Sequence, residues 1–538
     1  MERRFCTQQK FLAIVLVLVV AAIMCWYLYA GPNPFYDDST YVFLANYAIA
    51  NTNIFILINR FGYGFLKVYF IALSFSLFGY GGFQAVLSSV VSYMAMVILI
   101  FLTGARLKKG VYFGTLAAFI GAAAPFIAGY ATRTLPDIPL GMLVALSTYL
   151  FTLGQKRIFR HKMIPVFLFG FVTALTAYIN EQGFIFIVFS AAVLVAMYFL
   201  ERIGHSHKKM TMSSTYLIFF FLGIAAGIML YLIAYYLIVN DAFYVFEHYS
   251  NIPNSMSVVD RVMILFAPYA QNASSFNEEI YPAGVILILS IVGIPLSILK
   301  REKTVIYIAI VYSLTLAYML IAPSSPSVTL AGGGYVPIPF VTRMLDMFAL
   351  PIALLCAYTV FTVFELVRTY GGKKVALIVA GLLIASVFLA EVPEYAFVKS
   401  YNTGIAKDNV QFSDMFAYIA NVSHGRHTEI YEVTPANVFD LEMIYAFSYF
   451  SKFSHEYSMN SLATGVPTMY YSPSCNNPTK PSFMIILYNI DENATSTAEN
   501  NIVLNWLAAN CTETYLRSFP LDSSDSVFRL YFINRTAA

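Results

Sequence analysis

Residues 11–38 read FLAIVLVLVVAAIMCWYLYAGPNPFYDD. Phe11 to Ala30 carries no charge, and a helix needs ~20 apolar residues to cross the hydrocarbon layer of a bilayer. Arg3, Arg4 and Lys10 precede the run, and Asp37 and Asp38 follow soon after it. No small-residue cleavage site stands behind a short apolar core, so the segment is expected to be an anchor and not a removed leader. The order basic, apolar, acidic sets the N-terminus on the cytoplasmic side and Asp37-Asp38 outside.

The remaining composition extends this reading. Of 538 residues 59% are hydrophobic and 11% charged, against roughly a quarter charged in an ordinary soluble domain. Mean hydropathy is +0.69. A net charge of +3 is too small to point to nucleic acid. Eleven apolar segments read as spans: 11–30, 83–104, 111–130, 138–154, 163–179, 184–200, 213–239, 281–299, 304–322, 344–367 and 375–392. The short basic clusters Arg106–Lys109, Lys156–Lys162, Arg202–Lys209, Lys300–Lys303 and Arg368–Lys374 then all fall on the N-terminal side of the membrane. Residues 66–79 are apolar but short and contain Lys67. Counting them as a crossing would turn every later basic cluster outward, so they are expected to lie on the outer surface as an interfacial helix. The sequons at Asn272, Asn421, Asn493, Asn510 and Asn534 all fall on the external side.

The expected architecture is mainly α: a polytopic membrane domain over 1–392, with an external loop at 31–82, and a small extracytoplasmic α/β domain over 393–538. In the tail, strand-like runs at Glu429–Val433, Phe483–Tyr488 and Val527–Ile533 alternate with helix-like stretches near 436–450 and 500–509. Cys475 and Cys511 lie in this tail, where an oxidising exterior permits a disulfide; spacing alone leaves that pairing open.

Charges beside a membrane are costly and usually pair or line a polar cavity. Four external loops present them: Asp37-Asp38, Arg133 with Asp137, Glu181, and Arg343. Ser39–Asn51 reads as an amphipathic helix carrying Tyr41, with Asp38 or Ser39 as its cap. The plain reading of these acids is helix capping and turn formation, and that of the basic residues is snorkelling to the headgroups. Gathered in one outward cavity they suit transfer of a group from an anionic lipid. A carboxylate takes the proton of an acceptor hydroxyl, and arginine neutralises the phosphate that leaves.

The stretch Asp37-Asp38-Ser39-Thr40-Tyr41, followed by an amphipathic segment and by Phe65–Gly79, resembles the first external loop of GT-C glycosyltransferases, similar to protein mannosyltransferases and lipid A aminoarabinose transferases. Thr132–Leu140 resembles their second acidic loop, and Arg343–Pro351 their late arginine segment, although Met344 stands where an aromatic is common. Asn59–Gly64 replaces the proline-rich stretch of many relatives. With only Trp26 and Trp506, the chain lacks the double-tryptophan signature of oligosaccharyltransferases.

The resemblance implies an inverting transfer of one monosaccharide from a polyprenyl- or dolichyl-phosphate donor to an extracytoplasmic protein, lipid or glycan. It implies Asp37 or Asp38 as general base and Asp137 as a positioning acid. Arg343, Arg133, Arg60 and Lys67 would hold the donor phosphate, with Glu181 and Tyr41 as possible substrate contacts. It implies no metal and no cofactor, and a multi-pass place in the plasma membrane. The rival reading is a transporter or lipid flippase. That class expects charges near the midplane at broken helices in matching halves, whereas these sit at the outer rim.

Overall fold

The computed structural model describes residues 2–31, 65–107, 110–155, 163–179, 182–203, 213–239, 284–300, 303–321 and 342–422, the strands of the tail, and Tyr41, Val42, Ala45 and Ile49 within the first external loop. Helices dominate, as they must where lipid offers no hydrogen bonds to a backbone. In chain order they are α1 (Glu2–Tyr27), α2 (Phe65–Phe78), α3 (Gly82–Arg106), α4 (Gly110–Ala123), α5 (Pro125–Tyr130), α6 (Asp137–Gln155), α7 (Met163–Leu175), α8 (Gln182–Ile203), α9 (Ser214–Val239), α10 (Gly284–Lys300), α11 (Lys303–Ile321), α12 (Ala349–Ala390) and α13 (Val392–Val422). Six apolar helical stretches among the described residues are long enough to cross a membrane, and several shorter ones accompany them. This is an integral membrane protein.

Over its described residues each of the eleven apolar segments is helical, with differences in detail. The segment expected as one span over 111–130 is two helices. Ala124 leaves the helical region at ψ 118° and Pro125 opens α5, because proline lacks an N–H and fits the first helical position. The segments 344–367 and 375–392 form one long helix, α12, broken at Gly372 (φ 78°, ψ 171°) between the basic residues Arg368 and Lys373. A 3-10 turn, Thr342–Phe348, leads into α12.

The core runs through α3, α4, α6 and the first half of α12. Tyr93, Phe101, Phe113, Leu354 and Tyr358 are all essentially sealed from solvent there. α7 packs along α9, and α10 along α12. α2 is the helix expected at 66–79. It lies against α3, with Lys67 buried and donating to Ser88 Oγ (2.8 Å) and Ser89 Oγ (2.6 Å).

Beyond the membrane helices the sequence pattern missed α13. Its buried face is carried by Val398, Ile405, Phe412 and Ile419, each two helical turns from the last, with Met415 beside them. The asparagines and lysines between these residues dilute the apolar signal. The tail forms one five-stranded sheet of order β2-β1-β3-β5-β4, from β1 (Thr428–Thr434), β2 (Tyr457–Ala463), β3 (Ser482–Asn489), β4 (Cys511–Leu521) and β5 (Ser526–Arg535). β1 pairs in parallel with β2 and β3, whereas β5 is antiparallel to both β3 and β4. β1, β3 and β5 coincide with the three expected runs; β2 and β4 had no pattern strong enough to be read. The stretches near 436–450 and 500–509, and Cys475, lie outside the described residues. α13 rests on β4 at one end and on α5 at the other, joining sheet to membrane helices.

Candidate active site

The segment between α5 and α6 is a loop that the sequence places at the outer rim. Every residue from Ile120 to Gly141 is nevertheless buried. Loops are normally surface features because their backbone needs water. This one carries Thr132, Arg133, Thr134 and Asp137, each at most 1% exposed. Burial of such charges costs several kcal/mol unless they are paired or hydrogen-bonded. The Arg133 guanidinium lies 5.7 Å from the centre of the Tyr130 ring. Asp137 stands in the first turn of α6, where the positive end of the helix dipole favours a carboxylate.

Three elements pack around α5 and the loop that follows it. The first is the 3-10 turn that carries Arg343. It packs on α5 and α6, and so closely that a Cβ on Gly141 would lie 2.4 Å from the Asp346 carbonyl oxygen. Asp346, in the same 3-10 turn, is fully buried.

The second is the C-terminal end of α1. Thr132 Oγ1 accepts from Ala30 N (3.2 Å) and reaches Leu28 O (3.2 Å) and Gly129 O (3.3 Å). The chain leaves this point through Gly31, held at φ 82°, a left-handed conformation that glycine adopts without strain. Asp37 and Asp38 follow six and seven residues later.

The third is α13. Tyr395 donates its hydroxyl to Ala123 O, at the break between α4 and α5. Tyr93 of α3 donates in the same way to Ala122 O.

The site residues expected from sequence therefore divide. Arg133, Asp137 and the turn bearing Arg343 are brought together. Lys67 is buried on α2 with its ammonium on Ser88 and Ser89. Tyr41 is 7% exposed; it, Val42, Ala45 and Ile49 are helical, with Val42 and Ala45 fully buried and Ile49 40% exposed. Asp37, Asp38, Arg60, Glu181 and the side chain of Arg343 lie outside the described residues. Sequence reading missed Asp346, whose only signal is its spacing of three from Arg343, and Thr132, whose role rests on contacts more than 100 positions away in the chain.

The comparisons with known proteins bear on this geometry. Residues 64–224 match the family described as dolichyl-phosphate-mannose-protein mannosyltransferase. No curated protein matches the chain by sequence. Among solved structures, ArnT from Cupriavidus metallidurans in its apo state is similar at 14% identity with a TM-score of 0.59, over 96% of this chain and 97% of that one. The same protein bound to undecaprenyl phosphate is similar at 13% identity and a TM-score of 0.55, over 98% of each chain. The family segment and the near full-length fold match give the recognition: the chain resembles the GT-C membrane glycosyltransferases, of the protein mannosyltransferase and ArnT kind.

Proposed function

We propose that this protein moves a single sugar from a polyprenyl- or dolichyl-phosphate carrier to an extracytoplasmic acceptor, with inversion at the anomeric carbon. The observation that carries the reading is the sealed loop Thr132–Asp137, bound at once to the turn bearing Arg343 and to the end of α1 that leads into Asp37-Asp38. The similarity to a fold solved with undecaprenyl phosphate supports a lipid-phosphate donor.

In this scheme Asp37 or Asp38 removes the proton of the acceptor hydroxyl. The acceptor oxygen forms a bond to the anomeric carbon from the face opposite the phosphate. The bond from that carbon to the phosphate oxygen breaks, and its electron pair leaves with the lipid phosphate. Arg133 and Arg343 compensate the charge that develops there, and Lys67 and Arg60 supply further positive charge on the carrier side. Asp137, fixed by the helix that it opens, orients the sugar or the acceptor. Glu181 and Tyr41 are assigned to substrate contact. The arginines meet the need for positive charge at the leaving group, so the scheme includes no metal and no cofactor. The same reading takes eleven crossings, a cytoplasmic N-terminus and an extracytoplasmic α/β tail over 393–538, in the plasma membrane.

The test is reconstitution in liposomes with a panel of radiolabelled polyprenyl-phosphate sugars and mixed protein, lipid and glycan acceptors. Wild-type protein is expected to transfer label, and the Asp37→Asn, Asp38→Asn double variant to lose at least ~100-fold of the rate. Undiminished transfer by the double variant removes the proposed base. Movement of the labelled lipid between leaflets without transfer would establish a flippase instead.

A further inference from the structure

The last four carbonyls of a helix have no partner within it and must find one elsewhere. At the C-terminal end of α1 two are met by the chain itself, whereas Tyr27 O and two carbonyls just past the helix, Leu28 O and Ala30 O, are met by α13, a helix about 370 residues away in the chain. Leu28 N and Tyr29 N turn back to Met24 O (2.9 Å) and Trp26 O (3.5 Å). Tyr27 O accepts from Lys399 Nζ (2.6 Å), whose ammonium also lies 5.1 Å from the centre of the Tyr27 ring. Leu28 O accepts from Asn402 Nδ2 (2.6 Å), and Ala30 O from Asn409 Nδ2 (3.3 Å). Asn402 is completely buried.

Asn402 and Asn409 are seven residues apart, so they lie on one face of α13, two turns from each other. That face is otherwise the apolar stripe Val398, Ile405, Phe412 and Ile419. A polar side chain set into an apolar stripe fixes register, since any slip leaves it buried without its partner. Tyr395, one turn before Lys399, ends the same row on Ala123 O.

Leu28 O is the meeting point. It accepts from Asn402 and is also reached by Thr132 Oγ1, next in sequence to Arg133. One carbonyl thus joins the end of α1, the sealed loop and α13. Gly31 is pressed against the same helix: a Cβ there would lie 2.8 Å from Asn409 Nδ2.

We infer that α13 is the positioning element of the site, with Asn402 as its principal positioning residue: it clamps the end of α1, from which the chain runs on to Asp37 and Asp38, against the Arg133–Asp137 loop. This rests on the glycosyl-transfer reading for its consequence, but the clamp itself does not. Asn402 touches neither substrate nor the reacting atoms; it acts through the Leu28 carbonyl.

The experiment uses the full-length protein in nanodiscs. It compares wild type, Asn402→Leu, which keeps the branched shape with a larger side chain and has no donor, and Asn402→Gln, which restores an amide. Val410→Ala is the control, since Val410 is exposed on α13. Amide hydrogen exchange over residues 28–38 is expected to quicken at least tenfold in Asn402→Leu, with exchange in α6 and α12 unchanged. Turnover is expected to fall about tenfold at unchanged donor KM, as misplacement of a catalytic loop lowers rate and not binding, and to recover in part in Asn402→Gln. Should Asn402→Leu fail to fold, the half-buried Asn409→Leu takes its place with the same expectations. Unchanged exchange over 28–38 overturns the clamp, and an unchanged kcat in an active protein overturns the positioning role. A wild type with no transfer to any acceptor overturns the glycosyl-transfer reading alone, because the exchange comparison still decides the clamp.

Discussion

Gly141→Ala adds one methyl group at the most closely packed point of the site. Its Cβ would stand 2.4 Å from the Asp346 carbonyl oxygen, 3.2 Å from the carbon of that carbonyl and 3.1 Å from Met96 Sδ. Carbon makes ordinary contact with such atoms only ~1 Å farther out. The methionine can swing aside; the Asp346 carbonyl is backbone and cannot. The 3-10 turn Thr342–Phe348 must therefore retreat by ~1 Å from the first turns of α6, carrying Arg343 and Asp346 away from Asp137 and Arg133. Overpacking of this kind costs ~1–3 kcal/mol of stability, which a helical membrane domain of this size survives. The catalytic cost is larger, since a displacement of ~1 Å in a positioned group lowers rate by ~100-fold. The assay measures initial rates with whichever labelled lipid-phosphate sugar the wild type consumes, with thermal unfolding run in parallel. Gly381→Ala is the internal control: no atom lies within 4 Å of its added Cβ, and a helical glycine gains up to ~1 kcal/mol on becoming alanine. Gly141→Ala turning over within twofold of wild type, while folded, would refute the claim that the fit of the turn against α6 sets the geometry of the site.

Lys67→Met removes a buried cation whose two serine partners can bond back to their own helix, so stability is expected to change by less than ~1 kcal/mol. If its charge serves the donor phosphate, KM for the lipid donor rises about tenfold, the equivalent of one charge-assisted hydrogen bond; an unchanged KM takes Lys67 out of the phosphate site. Glu391 accepts at Oε1 from Ile286 N (3.0 Å), so the end of α12 caps the start of α10. Glu391→Gln is expected to unfold close to wild type and Glu391→Leu to lose ~0.5–2 kcal/mol in thermal denaturation; equal losses would show that the cap carries no weight. Membrane-impermeant maleimide, applied to a background with Cys6, Cys475 and Cys511 replaced by serine, is expected to label Val410→Cys in intact cells. Tyr370→Cys, at the exposed basic break of α12, should react only after permeabilisation. The opposite pattern would invert the proposed topology.

Much of the membrane part was legible because the bilayer imposes a rule that each segment obeys by itself. A run such as Phe11–Ala30 must be helical wherever it sits, without reference to any neighbour. The 111–130 segment shows where that rule stops: apolarity says nothing of Pro125, which divides the span into α4 and α5. α13 escaped notice for a related reason. Its apolar residues recur at seven-residue spacing, but the lysines and asparagines between them read as ordinary soluble sequence until their partners on α1 are known. Of the site, the residue types were visible and their relation was not. Arg133 and Asp137 could be named as outward charges, whereas their complete burial under the turn of Asp346 could not.

The amino-acid sequence by itself determined that the chain enters a membrane and where its apolar helices fall. These follow from the transfer of each segment between water and lipid, a property summed over neighbours in the chain. Only the tertiary structure decided that Leu28 O, Thr132 and Asn402 meet, that Lys67 is held by Ser88 and Ser89, and that the Arg133–Asp137 loop is sealed. Such contacts join residues up to some 370 positions apart, and a hydrogen bond forms only where the packing of whole helices brings donor and acceptor within ~3 Å.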